Sequence, residues 1–409
     1  MTQDAGSKVG DGSSRVYLRQ FDLFRVIACV GVVLQHVVLF TRPDGSAVGW
    51  SSVMVLHATR EVFIFLSALV ACYSQIRTPR PLAAMWVRRI VPVLVPYLVW
   101  TGIYVFYTLE SSPGHPTVRR VVLHDLFNGY YQLYFLVVLF QFYVVLPGLV
   151  WLVRRTRGHH GKLLGLSVVV QLAMTTISYY FSWHTGPLHV LHQIDGVLLG
   201  TRYLTSYQLY VVAGVLAADH LGDLQRIVED HSSRILWIVL GVGICTEGYY
   251  AFGLASGKSP GQASNLLQPV VVVWFLAACM GLWALGWRWA RRSAARAPTA
   301  SDRLITWGAD ASGGIYLAHV LVLHLLLTAL TREGLTELGA LNEAGLFLAL
   351  FTGTLVGTGA LVAVLLRTPL RTVLTGPNRR RERASLPNYP AVADLANSSR
   401  PATPAAVPL

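Results

Sequence analysis

The most constraining feature of this sequence is a series of long apolar runs joined by short basic segments. Ten runs are long enough to cross a hydrocarbon core about 30 Å thick, which predicts an all-α polytopic membrane protein with about ten transmembrane helices. The sixth run is the shortest and is polar in places. The ten runs cover residues 21–40, 53–74, 90–107, 133–153, 164–182, 203–218, 235–253, 267–287, 304–330 and 344–366.

Composition excludes the main soluble classes. Charged residues make up 13% of the chain, against about 25% in soluble domains, and apolar residues make up 54%. A disordered chain, a coiled coil and an ordinary cytosolic enzyme are therefore excluded. The formal net charge of +13 could indicate a nucleic-acid partner. The basic residues lie in bursts between apolar runs, however, so we interpret them as signals of membrane orientation and expect no nucleic acid.

The distribution of arginine and lysine predicts the orientation. With the N-terminus in the cytoplasm, cytoplasmic segments hold 25 basic residues and outer segments hold six. The positive-inside rule therefore places both termini in the cytoplasm. Residues 1–20 are predicted to form a cytoplasmic segment, 21–370 the membrane domain, and 371–409 a disordered basic tail rich in Pro and Ala. Arginine far outnumbers lysine, which suggests a GC-rich bacterial genome and a multi-pass protein of the inner or plasma membrane.

Ionisable residues inside apolar runs are functional candidates, because each costs at least ~2.5–3.5 kcal/mol to insert. The first run holds Asp22, Arg25 and His36. Arg25 and His36 lie eleven residues apart, which puts them on one helix face with an axial separation of ~16 Å. The structural alternatives are an arginine that extends to the interface and a hydrogen-bonded packing histidine.

The outer part of the second run contains Arg60 and Glu61, which we expect near the depth of His36. A carboxylate beside a histidine orients the ring and raises its basicity, as in a general base. We therefore predict that Glu61 holds His36 and that both belong, with Arg60, to a catalytic cluster. The alternative is an Arg–Glu pair that only locks two helices together.

Later segments carry weaker candidates. Tyr316 and His319 share a face of the ninth run, and Glu247 lies in the outer half of the seventh. Interhelical hydrogen bonding is the alternative for each of them. Three histidines crowd the segment after the fifth run, which could be an acceptor-binding loop, a connector or a zinc site, although no standard spacing is present. They are His184, His189 and His192.

Four stretches of the chain resemble one known family in order. Arg25 and His36 form an Arg-x10-His pattern within an opening that begins Phe-Asp-Leu-Phe-Arg. Ser67 closes a Phe-Ile-Phe-Leu-Ser segment, although Ala68 stands where glycine is usual. The remaining stretches are Arg88-Arg89-Ile-Val-Pro92, with Pro96-Tyr97, and Ser312-Gly-Gly-Ile-Tyr316-Leu-Ala-His319. Over residues 15–370 the chain thus resembles the acyltransferase-3 family of integral membrane O-acyltransferases, without a fused extracytoplasmic domain.

The resemblance implies transfer of a short acyl group, such as acetyl, from acyl-CoA to a hydroxyl. The acceptor would be a cell-envelope glycan, a glycolipid or a secreted small molecule. His36 would be the general base or an acyl relay, and Arg60 would stabilise the oxyanion. Arg25, with Asp22, would bind CoA phosphates, although the two arginine roles could be exchanged. Acceptor contacts are expected from Ser67, Glu247, Tyr316 and His319. No bound cofactor or metal is expected.

Two other classes of function remain open on the sequence. A transporter that exports an anionic or glycan-linked molecule could line its path with the same buried charges. A structural partner in envelope synthesis is the third interpretation. The sequence contains no glycine-rich phosphate loop, Gly-x-Ser-x-Gly elbow or His-Glu-x-x-His motif. ATP-driven transport and metalloprotease activity therefore have no support.

Overall fold

The computed structural model describes residues 18–41, 45–111, 117–183, 202–266, 268–332 and 343–376. Regular structure in these parts is helical, and nine segments are long and apolar enough to span a membrane, which confirms the all-α polytopic prediction. The helices are α1 (Gln20–Thr41), α2 (Ala47–Leu56), α3 (Ala58–Arg77), α4 (Leu82–Ser111), α5 (Val118–Asn128), α6 (Tyr134–Arg155), α7 (His160–Trp183), α8 (Gln208–Asp219), α9 (Leu221–Ala255), α10 (Pro260–Ala263), α11 (Pro269–Ala294), α12 (Ala300–Arg332), α13 (Glu343–Leu365) and α14 (Arg371–Thr375).

Helix α1 lies in the interior of the bundle, where it packs against α3, α11, α12 and α13. Its close contact with α11 depends on Gly286, where an added Cβ would lie 2.1 Å from the carbonyl oxygen of Gln20. A central α1 places both Arg25 and His36 inside the protein. The predicted first run is therefore a buried helix rather than a lipid-facing one.

The sixth predicted run differs most from its expectation. It forms a short 3-10 turn (Leu204–Tyr207) followed by α8, whose 12 residues extend only ~18 Å. Gln208 Nε2 donates to the carbonyl of Ser167, seven residues into α7, and His220 contacts His160 at the start of α7. Helix α8 therefore begins beside the middle of α7 and ends beside its first residue, so it covers about half a span.

Helix α8 is stabilised by close packing against α3. A Cβ at Gly214 would lie 2.5 Å from the carbonyl oxygen of Phe65 and 2.8 Å from the Cβ of Ala68. Small residues permit such contact between helix backbones in a membrane. The apolar character of the sixth run thus serves burial against another helix rather than exposure to lipid.

Residues just beyond the predicted membrane domain belong to the folded body. Helix α14 lies in the segment predicted as a tail, yet Trp100 of α4 donates from Nε1 to the carbonyl of Leu374 at 2.9 Å. Gly376 ends this helix with φ of 79°, a conformation that suits glycine. Helix α14 thus packs against α4, and the predicted tail from 377 onward lies outside the described residues.

The predicted orientation remains to be measured. Reporter fusions after residues 160, 225 and 385 should read as cytoplasmic, and fusions after residues 115 and 260 as extracytoplasmic. The physical reason is the excess of arginine and lysine in the segments assigned to the cytoplasm. Paired phosphatase and fluorescent-protein reporters at each position provide the control for expression. One inverted result in the middle of the chain would contradict the assignment.

Candidate active site

Two histidines from different helices meet in the interior of the bundle. His36 Nδ1 of α1 lies 3.0 Å from His319 Nε2 of α12, and 2.9 Å from the carbonyl oxygen of Val32. His319 Nδ1 lies 2.7 Å from the carbonyl oxygen of Tyr316. The structure therefore brings together three residues that the sequence singled out separately.

The carbonyl contacts determine which ring nitrogens carry hydrogen. A carbonyl can only accept, so His319 Nδ1 is the protonated nitrogen and His319 Nε2 presents a lone pair. His36 Nδ1 must then donate, since both Val32 and His319 offer it acceptors. This leaves the lone pair of a neutral His36 on Nε2. The protein holds His36 in the tautomer that a general base requires.

Arg60 and Glu61 form an ion pair at the start of α3. Arg60 donates from its terminal nitrogen to Glu61 Oε1 at 2.6 Å and from Nε to the same oxygen at 3.0 Å. Arg60 also donates to the hydroxyl of Tyr134 at 3.2 Å and lies over the ring of Tyr207. The side chains of Arg60 and Glu61 are 12% and 3% exposed, so their charges are compensated mainly by each other.

The predicted contact between Glu61 and His36 is not found. Glu61 accepts hydrogen bonds from the nitrogens of Arg60, while Val32 and His319 hold the His36 ring. The carboxylate prefers the guanidinium because an opposite charge in a buried site offsets more of its desolvation than a neutral ring does. His319 therefore orients the His36 ring. Glu61 instead positions Arg60 and compensates its charge.

A small cavity of about 40 Å³ separates His36 from Arg60, and both residues line it. His36 and Arg60 therefore border the same space. A larger cavity of about 250 Å³ is its neighbour, because Phe63, Phe135 and Tyr316 line both. The two cavities thus lie on either side of these three side chains.

The far end of the larger cavity is lined by three arginines, Arg25, Arg88 and Arg89. Arg25 is held by the buried carboxylate of Asp22, with 3.6 Å between its terminal nitrogen and Oδ1. Ser67 and Tyr316, two residues predicted to contact the acceptor, also line this cavity. Asp22 itself is 1% exposed, so it positions Arg25 rather than meeting a ligand.

Glu247 is the candidate that the structure separates from the others. Its Oε2 accepts a hydrogen bond from Ser51 at 2.7 Å, which ties α9 to α2, and it lines neither cavity. The depth of Glu247 along its run suggested an acceptor contact. Depth along a helix does not determine which neighbouring helix a residue faces, however, and Glu247 faces α2. The histidine-rich segment with His184, His189 and His192 lies outside the described residues.

Several site residues carried no functional prediction. Arg88 and Arg89 appeared only within a motif of the family resemblance, and Gln132 and Tyr134 were given no role. Gln132 donates to the hydroxyl of Tyr104 at 2.7 Å, and its carbonyl accepts from Tyr316. It fastens α12 beside the small cavity. The signal that could have identified the arginine pair was its position directly before Pro92 and Pro96, which also lie at the larger cavity.

A histidine pair beside a cavity inside a multi-pass helical bundle is thus the candidate site of this membrane protein. A family model described as an acyltransferase domain matches residues 18–363, nearly the whole chain. The chain therefore belongs to the acyltransferase-3 family, and it is a membrane acyltransferase. No curated protein and no solved structure shows a significant match. Family membership favours an enzyme over the exporter that the sequence also allowed.

Proposed function

We propose that this enzyme moves a short acyl group from acyl-CoA to a hydroxyl of a cell-envelope glycan, a glycolipid or a secreted small molecule. The observation that carries the proposal is a cavity lined by three arginines beside a second cavity lined by His36. Phosphates and a reactive thioester lie at opposite ends of CoA, and two neighbouring cavities of this kind suit these two ends. The proposed location is the plasma membrane of a bacterium, with the arginine end facing the cytoplasm.

The arginine end suits the donor. Guanidinium groups bind phosphate oxygens through two parallel hydrogen bonds, and three of them converge on the larger cavity. Arg25 and His36 lie on the same helix, with ~16 Å between them along its axis. The pantetheine arm would follow this distance and bring the thioester to the small cavity.

The His36 end suits the chemistry. His36 Nε2 would take the proton from the acceptor hydroxyl as its oxygen attacks the thioester carbon. The negative charge on the former carbonyl oxygen would be stabilised by Arg60, whose guanidinium is held by Glu61 and Tyr134. Collapse of the intermediate breaks the carbon–sulfur bond, and CoA leaves as the thiol after it accepts the proton from His36.

The small cavity supports a short acyl group. Its volume of about 40 Å³ is walled by aromatic side chains, including Phe63, Phe135 and Tyr316. A longer acyl chain would need these side chains to move, which is costly in a packed interior. Acetyl is accordingly the donor group that we test first.

The proposal is tested by transfer of radiolabelled acetyl from acetyl-CoA by the purified protein in proteoliposomes. Acceptors are tested in separate arms: extracted envelope glycolipids, soluble glycan fragments and small hydroxylated molecules. We expect ester-linked label, released by mild base, in at least one arm. Protein with His36→Ala is the matched negative control. Label that is transferred equally by this variant, or in no arm despite bound acetyl-CoA, would contradict the proposal.

Replacement of Arg25 by lysine should weaken donor use. Lysine keeps the charge but loses the planar fork, so the apparent KM for acetyl-CoA should rise severalfold with a smaller change in kcat. Arg19→Lys is the control, because Arg19 lies over the ring of Trp289 and lines neither cavity. An unchanged KM for acetyl-CoA together with a raised KM for the acceptor would show that Arg25 serves the acceptor instead.

A further inference from the structure

A second cluster of metal-ligating side chains lies outside the cavity of the proposed reaction. His160 is the first residue of α7, Asp219 is the last residue of α8, and His220 joins α8 to α9. One ligand atom from each of the three lies within 4.8 Å of the others. We propose that this cluster binds a zinc ion and that the ion fastens the half-span helix α8 to α7.

The hydrogen bonds around the cluster direct lone pairs toward a common point. His160 Nε2 lies 2.8 Å from the carbonyl oxygen of Val153, so Nε2 carries the hydrogen and Nδ1 presents a lone pair. This Nδ1 lies 2.7 Å from His220 Nε2 and 3.9 Å from Asp219 Oδ2. Three atoms able to donate electron pairs therefore converge from three positions in the chain.

The outer nitrogen of one ring is within hydrogen-bond distance of a carbonyl oxygen, and that of the other lies near a carboxylate. His160 Nε2 faces the carbonyl of Val153, and His220 Nδ1 lies 3.7 Å from Asp223 Oδ2. Histidines that bind metal almost always direct their other ring nitrogen to a carbonyl or carboxylate, which fixes the tautomer. The same arrangement supports His160 Nδ1 and His220 Nε2 as ligand atoms.

The chemical nature of the three ligand atoms favours zinc. Two imidazole nitrogens and one carboxylate oxygen, with a fourth position for water, form a tetrahedral site of the kind that Zn²⁺ occupies. The side chains of His160 and Asp219 are 11% and 19% exposed, which protects their ligand atoms, while that of His220 at 45% leaves a route for the ion. None of the three ligands lines either cavity.

A zinc ion bound at this cluster would hold the end of the short helix α8. Helix α8 contacts α7 through the Gln208 bond to Ser167 at its start and through the His–Asp–His cluster at its end. Tyr207, directly before α8, lies under the guanidinium of Arg60. An ion at the end of α8 therefore holds the helix whose beginning supports the site.

The competing explanation is a direct hydrogen bond in place of the metal. A neutral His220 that carries hydrogen on Nε2 would donate it to His160 Nδ1 at 2.7 Å. The two explanations differ in what stabilises the protein. Zinc binding stabilises the folded state in proportion to the logarithm of the zinc concentration, whereas a direct hydrogen bond makes stability independent of zinc.

The test measures zinc in full-length protein purified in detergent through a tag without histidine. After incubation with Zn²⁺ and dialysis against metal-free buffer, we expect about one zinc per chain, as for a single closed site. His160→Ala and Asp219→Asn should lose the ion. His159→Ala is the matched control, because it removes the exposed neighbouring histidine and keeps all three ligands.

Two further measurements on the wild-type protein keep the test independent of whether a variant folds. Cobalt(II) substituted for zinc should give the visible absorption of a tetrahedral site, and added zinc should raise the melting temperature. A wild type that retains no zinc, with a melting temperature that does not respond to added zinc, would overturn the proposal in favour of the hydrogen bond. Equal zinc content in wild type and in folded His160→Ala would identify an adventitious ion only.

Discussion

Replacement of His36 by glutamine should lower turnover by at least ~10²-fold, the low end of the range for a positioned proton transfer. Glutamine can hydrogen-bond at the same place but cannot take a proton at neutral pH. The loss should appear mainly in kcat, because the proposed phosphate site lies at the arginines of the larger cavity and not at His36. Initial rates of acetyl transfer, measured in proteoliposomes over a range of acetyl-CoA concentrations, provide the check.

The control for this result is another histidine of the same bundle. His324 lies five residues beyond His319 on α12, packs against Phe40 and Tyr107, and lines neither cavity. His324→Gln should therefore retain most activity. Folding of all variants is compared by membrane abundance and melting temperature. If His36→Gln keeps most of the activity, the histidine has a structural role and the proposed base is wrong.

Replacement of Arg60 by methionine should reduce the stability of the protein by ~3–5 kcal/mol, the cost of leaving a buried charge without its partner. The carboxylate of Glu61 would lose the donors at 2.6 and 3.0 Å that now compensate it. The melting temperature of the detergent-solubilised protein, followed by the loss of the monodisperse peak in size-exclusion chromatography after heating, measures the effect.

The double variant separates stability from chemistry. Arg60→Met combined with Glu61→Gln removes both charges, so much of the lost stability should return while acetyl transfer stays impaired. Arg202→Met is the control, since Arg202 donates to Asn128 at an exposed position. A double variant that regains stability and full activity would show that the pair only locks helices together.

Helical periodicity predicted part of this candidate site, but it cannot predict contacts between different helices. The eleven-residue spacing put Arg25 and His36 on one face, and the order of the runs put Arg60 at the depth of His36. Spacing does not determine which neighbouring helix a face meets. The contact of His36 with His319 and the turn of Glu247 toward Ser51 depend on packing between helices distant in sequence.

Length and hydropathy predicted the membrane fold but not the half-span helix. The sixth run has the composition of a membrane segment, and its polar beginning at Thr205, Ser206 and Gln208 was the visible sign of a different role. A helix buried by protein has no need to match the bilayer thickness. Its length follows from its contacts with α3 and α7, which a linear pattern does not contain.

The central position of α1 also limits where substrate preference can change. Helix α1 carries both Arg25, proposed to bind the donor, and His36, proposed as the base. The helix therefore fixes the distance between these two residues. Inserting a single residue between Arg25 and His36 would turn one of them by 100° relative to the other. Relatives that accept other acyl groups or acceptors should therefore differ along the walls supplied by α3, α6 and α12. The spacing between the positions of Arg25 and His36 should stay the same.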